Sequence, residues 1–123
     1  MIPAIDYFRP GKIEKVLSLL AENQGDTCII AGGTDIIPGF QQGSSRFQHI
    51  NKLIDITQIK ELKIIEKDEQ NFIIGAGVTF SELAKNSLIR DKFPLLAKAA
   101  SMIGSVQIRN RATIGGNFIY NAP

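Results

Sequence analysis

The first regular pattern of hydrophobic and polar positions lies near the N-terminus. Four apolar residues follow the spacing i, i+3, i+4 and i+7, which places them on one face of a helix. They are Ile13, Val16, Leu17 and Leu20. Pro10 and Gly11 precede the pattern and Gly25 follows it, as is usual at helix ends. The sequence therefore predicts a helix within residues 11–25.

Short apolar runs predict strands. "DTCII" and "HINKLIDI" each predict one strand, and "LKIIEK" and "NFIIGAG" predict a hairpin joined by the polar turn "DEQN". Thr79 and Glu82 have the spacing of a capping box before a helix through "SELAK". Pro94 begins another helix, which Gly104 closes. Alternating helix and strand at the start favours an α/β arrangement, and the hairpin that follows makes the fold a mixed one.

Composition narrows the class of protein. The chain has 123 residues, and a net charge of +2 gives little attraction to nucleic acid. A single cysteine and a single histidine leave no disulfide and no cysteine-based metal site. Apolar runs are too short for a membrane span, and the N-terminus has no signal-peptide pattern, so we expect a cytoplasmic protein. Since no side-chain set suits acid–base or nucleophilic catalysis, any redox chemistry belongs to a cofactor.

Two phrases contain paired glycines: "AGGTD" at residues 31–35 and "IGGN" at 114–117. Without a Cβ, glycine lets a ligand approach the backbone, and successive N–H groups can form an anion site. Thr34 adds a hydroxyl, Asp35 can hold the loop or cap a short helix through "IIPGF", and Asn117 can donate and accept. Either phrase alone fits an ordinary turn, but together they suggest two loops that bind one ligand.

Other motifs are weaker. "GAGVTF" follows a predicted strand, but Phe80 replaces the third glycine of a dinucleotide fingerprint and a hairpin leads into it, so we reject a Rossmann site. Arg109 and Arg111 add positive charge near the second glycine pair. Most arginines are solvated, so we do not count either among the binding residues.

In their order and spacing, "IIAGGTDI", "FIIGAGVTFSELA" and "IRNRATIGGN" resemble the FAD-binding subunit of the molybdenum hydroxylases, which include xanthine, nicotinate and carbon monoxide dehydrogenases. The resemblance runs from about Tyr7 to the last residue. "AGGTD" and "GGN" are more similar to the xanthine or nicotinate branch than to the carbon monoxide branch.

The resemblance implies a two-lobed α+β FAD-binding domain whose first lobe is α/β-like. Residues 1–57 would form the first lobe, a small parallel sheet with helices, and residues 58–123 the opening of the second, with the hairpin, helices and a GGN loop. "TIGGNFIYNAP" is apolar and turn-rich, with no terminal helix evident. We therefore expect an N-terminal portion of the subunit that is inactive alone, holds FAD poorly and self-associates.

The resemblance also implies which residues bind FAD, with no catalytic or metal-binding residue in this chain. The first glycine loop would hold the pyrophosphate through Ile30, Ala31, Gly32, Gly33, Thr34, Asp35 and Ile36. The second would contribute Thr113, Gly116 and Asn117, with Tyr120 where the family often has a small or hydroxyl residue. Ile103 and Gly104 would border the flavin ring.

The implied function is a flavin subunit of an oxidoreductase, xanthine dehydrogenase-like. It would take electrons from an iron–sulfur subunit, fed by a molybdopterin subunit, and pass them through FAD to NAD or another acceptor. One alternative is a non-catalytic interaction domain that keeps the fold and has lost flavin. Another is an oxidase with covalent FAD, which His49 and Cys28 do not favour because neither lies in the first glycine loop.

Overall fold

The computed structural model describes residues 5–22, 25–32 and 50–120. The chain divides into two compact units, residues 1–60 and 61–123. Helices and strands occur in both units, and the fold is α+β, as predicted. The assignment of the units to the two lobes of the implied domain stays a prediction.

The first unit contains a three-stranded parallel sheet. Its elements are β1 (Asp6–Phe8), α1 (Ile13–Glu22), β2 (Thr27–Ile30) and β3 (Lys52–Asp55). The strand order is β1-β3-β2, so the last strand in sequence lies in the middle. Lys52 is level with Asp6 on one side and with Thr27 on the other. The strands predicted from "DTCII" and "HINKLIDI" are confirmed, whereas β1 was not predicted.

Burial follows this strand order. Leu53, Ile54 and Asp55 on the central strand are all buried, and Ile54 has no exposed surface. A strand with a partner on each side and cover on both faces is apolar throughout, which explains the run "LI" in β3. On the edge strand β2, Ile30 is buried and Ile29 is exposed.

The helix α1 is confirmed, but its buried face differs from the predicted one. Val16 and Leu19 are buried, whereas Leu17 is 60% exposed. The inward face is therefore rotated by part of a turn towards Leu19. The sequence alone did not separate these two leucines, because both lie within a turn of Val16.

A 3₁₀ turn begins at the last residue of the first unit, and a hairpin follows it in the second unit. The turn spans Lys60–Lys63, and the antiparallel strands are β4 (Ile65–Lys67) and β5 (Phe72–Ile74). Between the strands, the Asp68 carboxylate accepts hydrogen bonds from the N–H groups of Gln70 and Asn71 at 2.9 and 2.7 Å. Such a side-chain turn stabilises the reversal, and the predicted hairpin is confirmed.

Short helices follow the hairpin. They are α2 (Phe80–Lys85), α3 (Ser87–Lys92), α4 (Pro94–Met102), α5 (Val106–Arg111) and α6 (Ile114–Tyr120). The Thr79 hydroxyl caps α2 by accepting from the Glu82 N–H at 3.1 Å. Thr79 therefore caps the helix as predicted. The Glu82 carboxylate forms an ion pair with Lys63 Nζ at 2.9 Å.

One hydrophobic core joins the hairpin to these helices. Its buried members are Val78, Phe80, Leu83, Ile89, Ala97, Ala100 and Ala112. Ile65, Phe72 and Ile74 of the hairpin pack against them. The Phe72 and Phe93 rings meet edge to face with centroids 4.7 Å apart, a favourable aromatic geometry.

The prediction of a GGN loop and of no helix after it was wrong. Gly115 and Gly116 lie in the first turn of α6. Thr113 supplies the reason, because its hydroxyl accepts from the Gly116 N–H at 3.0 Å and its carbonyl from the Asn117 N–H at 3.0 Å. A hydroxyl at this position offsets the low helix propensity of two glycines.

Candidate functional site

The first glycine segment begins where β2 ends. Ile30 is the last residue of β2, and its carbonyl accepts from the Ile56 N–H at 3.0 Å. Ala31 and Gly32 follow and are half-buried. Ligands of open parallel sheets commonly bind beyond the carboxyl ends of the strands, and these residues occupy such a position.

Several sequence-predicted features of this segment lie outside the described residues. They are Gly33, Thr34, Asp35, Ile36, the short helix through "IIPGF", and His49. Cys28 lies within β2, and burial raises the pKa of its thiol. A raised pKa keeps the thiol protonated and unreactive.

A polar cluster at the same end of the sheet was missed by sequence reasoning. Asp55, at the end of β3, is buried and accepts hydrogen bonds from the Tyr7 hydroxyl and from the N–H and hydroxyl of Thr57. The two bonds from Thr57 are 2.8 and 2.6 Å long. Arg9 Nε lies 3.7 Å from the same carboxylate. The spacing Asp-x-Thr after an apolar run was the available signal, because aspartate in such places binds the backbone two residues on.

The environment of Asp55 keeps it ionised. Burial acts to raise the pKa of this carboxyl, but the hydrogen bonds from Thr57 and Tyr7 and the charge of Arg9 outweigh it and lower the pKa below the ordinary value. An ionised, fully bonded carboxylate is a poor general acid or base at neutral pH. Asp55 therefore links β1 to β3 at the carboxyl end of the sheet, the same end at which the first glycine segment follows β2.

The second glycine segment is packed differently. The first three backbone N–H groups of α6 are all bonded within the chain, at 2.9, 2.9 and 3.0 Å. The pairs are Ile114 to the Val78 carbonyl, Gly115 to the Ala76 carbonyl, and Gly116 to the Thr113 hydroxyl. These amides do not form a row of open donors for a phosphate. A ligand would meet the Cα surface and side chains of this turn.

The two glycines of this pair have different surroundings. A Cβ on Gly115 would lie 2.7 Å from the Cβ and 2.7 Å from the carbonyl oxygen of Ala76. Among the described residues, a Cβ on Gly116 would meet only the Thr113 hydroxyl, at 3.0 Å. Gly115 is therefore required by packing against the chain itself. Gly116 leaves a half-buried place where another molecule can approach the backbone.

The rest of the second predicted set lies on α6 and on the turn after α4. Thr113 is buried and caps α6, Asn117 is half-buried one residue beyond the glycines, and Tyr120 is the last residue of α6. Ile103 and Gly104 directly follow α4, and Gly104 has φ of +50°. Left-handed backbone favours glycine at such a helix end.

The segment "GAG" that failed as a dinucleotide motif has a structural role. The Gly75 and Gly77 N–H groups donate to the carbonyls of Ile64 and Leu62 at 2.8 and 2.7 Å. A Cβ on Gly75 would overlap the Leu62 carbonyl. The turn between these glycines carries the Ala76 carbonyl that receives the Gly115 N–H, so it is the surface on which α6 begins.

Neither a metal-binding group nor a membrane-spanning helix is found in the described part of the chain. Within residues 5–22, 25–32 and 50–120, no three histidine, cysteine or acidic side chains are grouped so that they could hold a metal ion. Over those same ranges, none of the helices has the length and apolar character needed to cross a membrane.

Comparison with known proteins identifies this arrangement. Residues 3–123 match the family described as the FAD binding domain in molybdopterin dehydrogenase. The FAD subunit of nicotinate dehydrogenase from Eubacterium barkeri is 39% identical over 113 residues, which are 91% of this chain and 37% of that protein. The FAD-binding subunit of xanthine dehydrogenase from Escherichia coli O157:H7 is 35% identical over 123 residues, covering 99% of this chain and 41% of that protein.

The fold agrees with a solved relative. A structure of carbon monoxide dehydrogenase from Hydrogenophaga pseudoflava is similar to this chain with a TM-score of 0.88 and 33% identity, covering 96% of this chain and 40% of that chain. The chain therefore spans about two fifths of the length of the relatives that it matches.

Proposed function

Because the chain belongs to the family of FAD-binding domains of molybdopterin dehydrogenases, we propose that it is part of the FAD-binding subunit of a molybdenum hydroxylase-type oxidoreductase. The observation that carries the proposal is the match of residues 3–123 to that family. FAD is the cofactor of the family. We propose that iron–sulfur and molybdopterin groups are held by partner subunits.

The described residues fit FAD in two respects. Ala31 and Gly32 leave β2 at the carboxyl end of a parallel sheet. Among the described residues, a Cβ on Gly116 would meet the Thr113 hydroxyl alone, so a ligand can approach the backbone there. We propose that the segment from Ile30 to Ile36 contacts the pyrophosphate. We propose further contacts from Thr113, Gly116, Asn117 and Tyr120, and from Ile103 and Gly104 beside the flavin ring.

The chain's own part in the chemistry is binding and orientation. When bound, FAD supplies the two-electron chemistry, which needs no acid or base from the protein side chains described above. Thr113 holds the start of α6 through its hydroxyl and carbonyl. The Gly115 N–H, bonded to the Ala76 carbonyl, fixes this helix start relative to the turn that carries Ala76.

Within the family, we propose a xanthine dehydrogenase-like complex in the cytoplasm that delivers electrons to NAD. The residues "AGGTD" and "GGN" support this branch through their similarity to xanthine and nicotinate dehydrogenases. The identities of 39%, 35% and 33% to nicotinate, xanthine and carbon monoxide enzymes lie close together. Overall similarity therefore does not separate the branches, and substrate tests must do so.

The test begins with the protein expressed from its complete gene together with the genes beside it. The purified protein should be yellow and release one FAD per chain on denaturation. Under anaerobic conditions, xanthine, nicotinate and carbon monoxide are added separately, and bleaching of the flavin absorbance is followed. Xanthine should bleach the flavin, and NAD added afterwards should restore the colour.

Other results would separate the parts of the proposal. Bleaching by nicotinate or carbon monoxide alone would contradict the xanthine assignment and leave the flavin role intact. Failure of NAD to restore the colour, with recovery on adding an artificial acceptor, would contradict NAD as acceptor. A folded, colourless protein that takes up no added FAD would favour the interaction domain that has lost flavin.

A further inference from the structure

Arg109 joins the turn after α4 to the last turn of α5. Its Nη1 donates to the carbonyl oxygens of Ile103 and Gly104, at 3.1 Å each. The side chain is half-buried. Arg109 is therefore more than a solvated surface charge, in contrast to the sequence-based expectation.

The contact provides hydrogen-bond donors for two carbonyl groups that directly follow α4. Carbonyl groups at the end of a helix have no partner within that helix, and a cation there also offsets the negative end of the helix dipole. Gly104 adopts φ of +50°, and a Cβ placed on it would lie 2.9 Å from Ile108 Cγ2. The turn is thus packed against Ile108 of α5, and its carbonyl groups are bonded to Arg109 of the same helix.

The start of α5 fixes the arginine itself. The Ser105 hydroxyl accepts from the Ile108 N–H at 3.2 Å, and the Ser105 carbonyl accepts from the Arg109 N–H at 2.9 Å. Backbone and side chain of Arg109 therefore hold the same seven-residue stretch, 103–109. Lysine presents a point charge in place of a planar fork, so it would reproduce this geometry incompletely.

We propose that Arg109 is a positioning residue for the flavin. By binding both carbonyls, it holds the Ile103–Gly104 turn in the one conformation that presents a fixed surface to the cofactor. This inference rests on the proposed function, because Ile103 and Gly104 are there assigned to the surroundings of the flavin ring. Arg109 acts through the turn and needs no contact with FAD.

The test compares Arg109→Gln and Arg109→Lys with Arg111→Gln, a matched control on an exposed neighbour. In protein from the complete gene, FAD affinity is measured by titration of the flavin-free form, and the flavin environment by visible circular dichroism at saturating FAD. Arg109→Gln should bind FAD about tenfold more weakly, the scale of a lost charged hydrogen bond. Its visible signal should change, Arg109→Lys should be intermediate, and Arg111→Gln should match wild type.

Thermal unfolding of the flavin-free forms separates positioning from general stability. If Arg109→Gln unfolds earlier but, at saturating FAD, shows the wild-type visible signal and the wild-type affinity, the residue is only a structural brace and the inference is overturned. If Arg109→Gln does not fold, the comparison of Arg109→Lys with Arg111→Gln decides by the same criteria. Wild-type protein that binds no FAD would overturn the proposed function itself, and this inference with it.

Discussion

The two segments that contain paired glycines are alike in sequence, but their described residues lie in different surroundings. The first leaves the carboxyl end of β2, where the described residues Ala31 and Gly32 continue from a sheet edge. The second lies inside the first turn of α6, with the N–H groups of both glycines bonded to the protein. A pair of glycines after an apolar run therefore does not by itself indicate an open anion-binding loop.

The difference also divides the roles within the second pair. Gly115 is needed because α6 begins directly against the turn at Ala76, and any side chain would collide with that backbone. Among the described residues, the atom nearest to a Cβ on Gly116 would be the Thr113 hydroxyl oxygen, at 3.0 Å. Gly115 is thus required by the packing of α6, whereas we propose that Gly116 is available to a ligand.

The largest effect is expected where the turn that supports α6 is disturbed. Gly75→Ala would push a Cβ into the Leu62 carbonyl, which belongs to backbone and cannot rotate away. Overpacking of this kind costs about 3 kcal/mol or more when the backbone must move. Chemical denaturation should show this loss. Gly11→Ala, at a site with nothing within 4 Å of the added Cβ, should leave stability nearly unchanged.

Two single substitutions test whether the two glycines of the second pair differ in their effect on stability. Gly115→Ala should lower the free energy of unfolding by about 1–3 kcal/mol, because the methyl group meets Ala76. Gly116→Ala should leave it unchanged within about 1 kcal/mol, since better helix propensity offsets a mild contact with Thr113. Equal losses from the two substitutions, measured on the flavin-free protein, would show that the distinction between these glycines is wrong.

The contribution of Asp55, at the carboxyl end of the parallel sheet, is tested by the pH dependence of stability. The pKa of Asp55 is lower in the folded protein than its ordinary value, which is about 3.9 in an unfolded chain. Its contribution is therefore present above about pH 4 and is lost as the pH falls through the folded pKa.

Asp55→Asn should cost about 1 kcal/mol at neutral pH, the net worth of a hydrogen bond. The difference in stability between wild type and variant should shrink as the pH is lowered below 4. Denaturation series at several pH values measure it. A difference that stays constant across this range would mean that the charge on Asp55 adds nothing.

Much of the fold was predictable because its signals are local. The periodicity of α1, the two apolar runs of β2 and β3, the hairpin turn at Asp68, and the cap at Thr79 each lie within a few residues. Local patterns of this kind are the most reliable part of sequence interpretation. The family resemblance rested on the same short segments.

The missed features depend on distant partners or on very short elements. β1 is three residues long and pairs with residues 52–54, far along the chain. α3 has six residues, and Asn86 both ends α2 and caps α3. α6 begins at two glycines because carbonyls of Val78 and Ala76 receive its first amides. The Asp55 cluster joins Tyr7 to a residue 48 positions away, which no local pattern encodes.

We propose that this chain contributes a FAD-binding surface in which the cofactor approaches the backbone at Gly116. An equilibrium titration of flavin-free protein from the complete gene with FAD, for wild type and Gly116→Leu, tests this proposal. Wild type should bind one FAD per chain, and the variant at least about a hundredfold more weakly, since a leucine side chain at this half-buried position would occupy the space proposed for the cofactor. Gly116→Leu that binds FAD as tightly as wild type would contradict the claim.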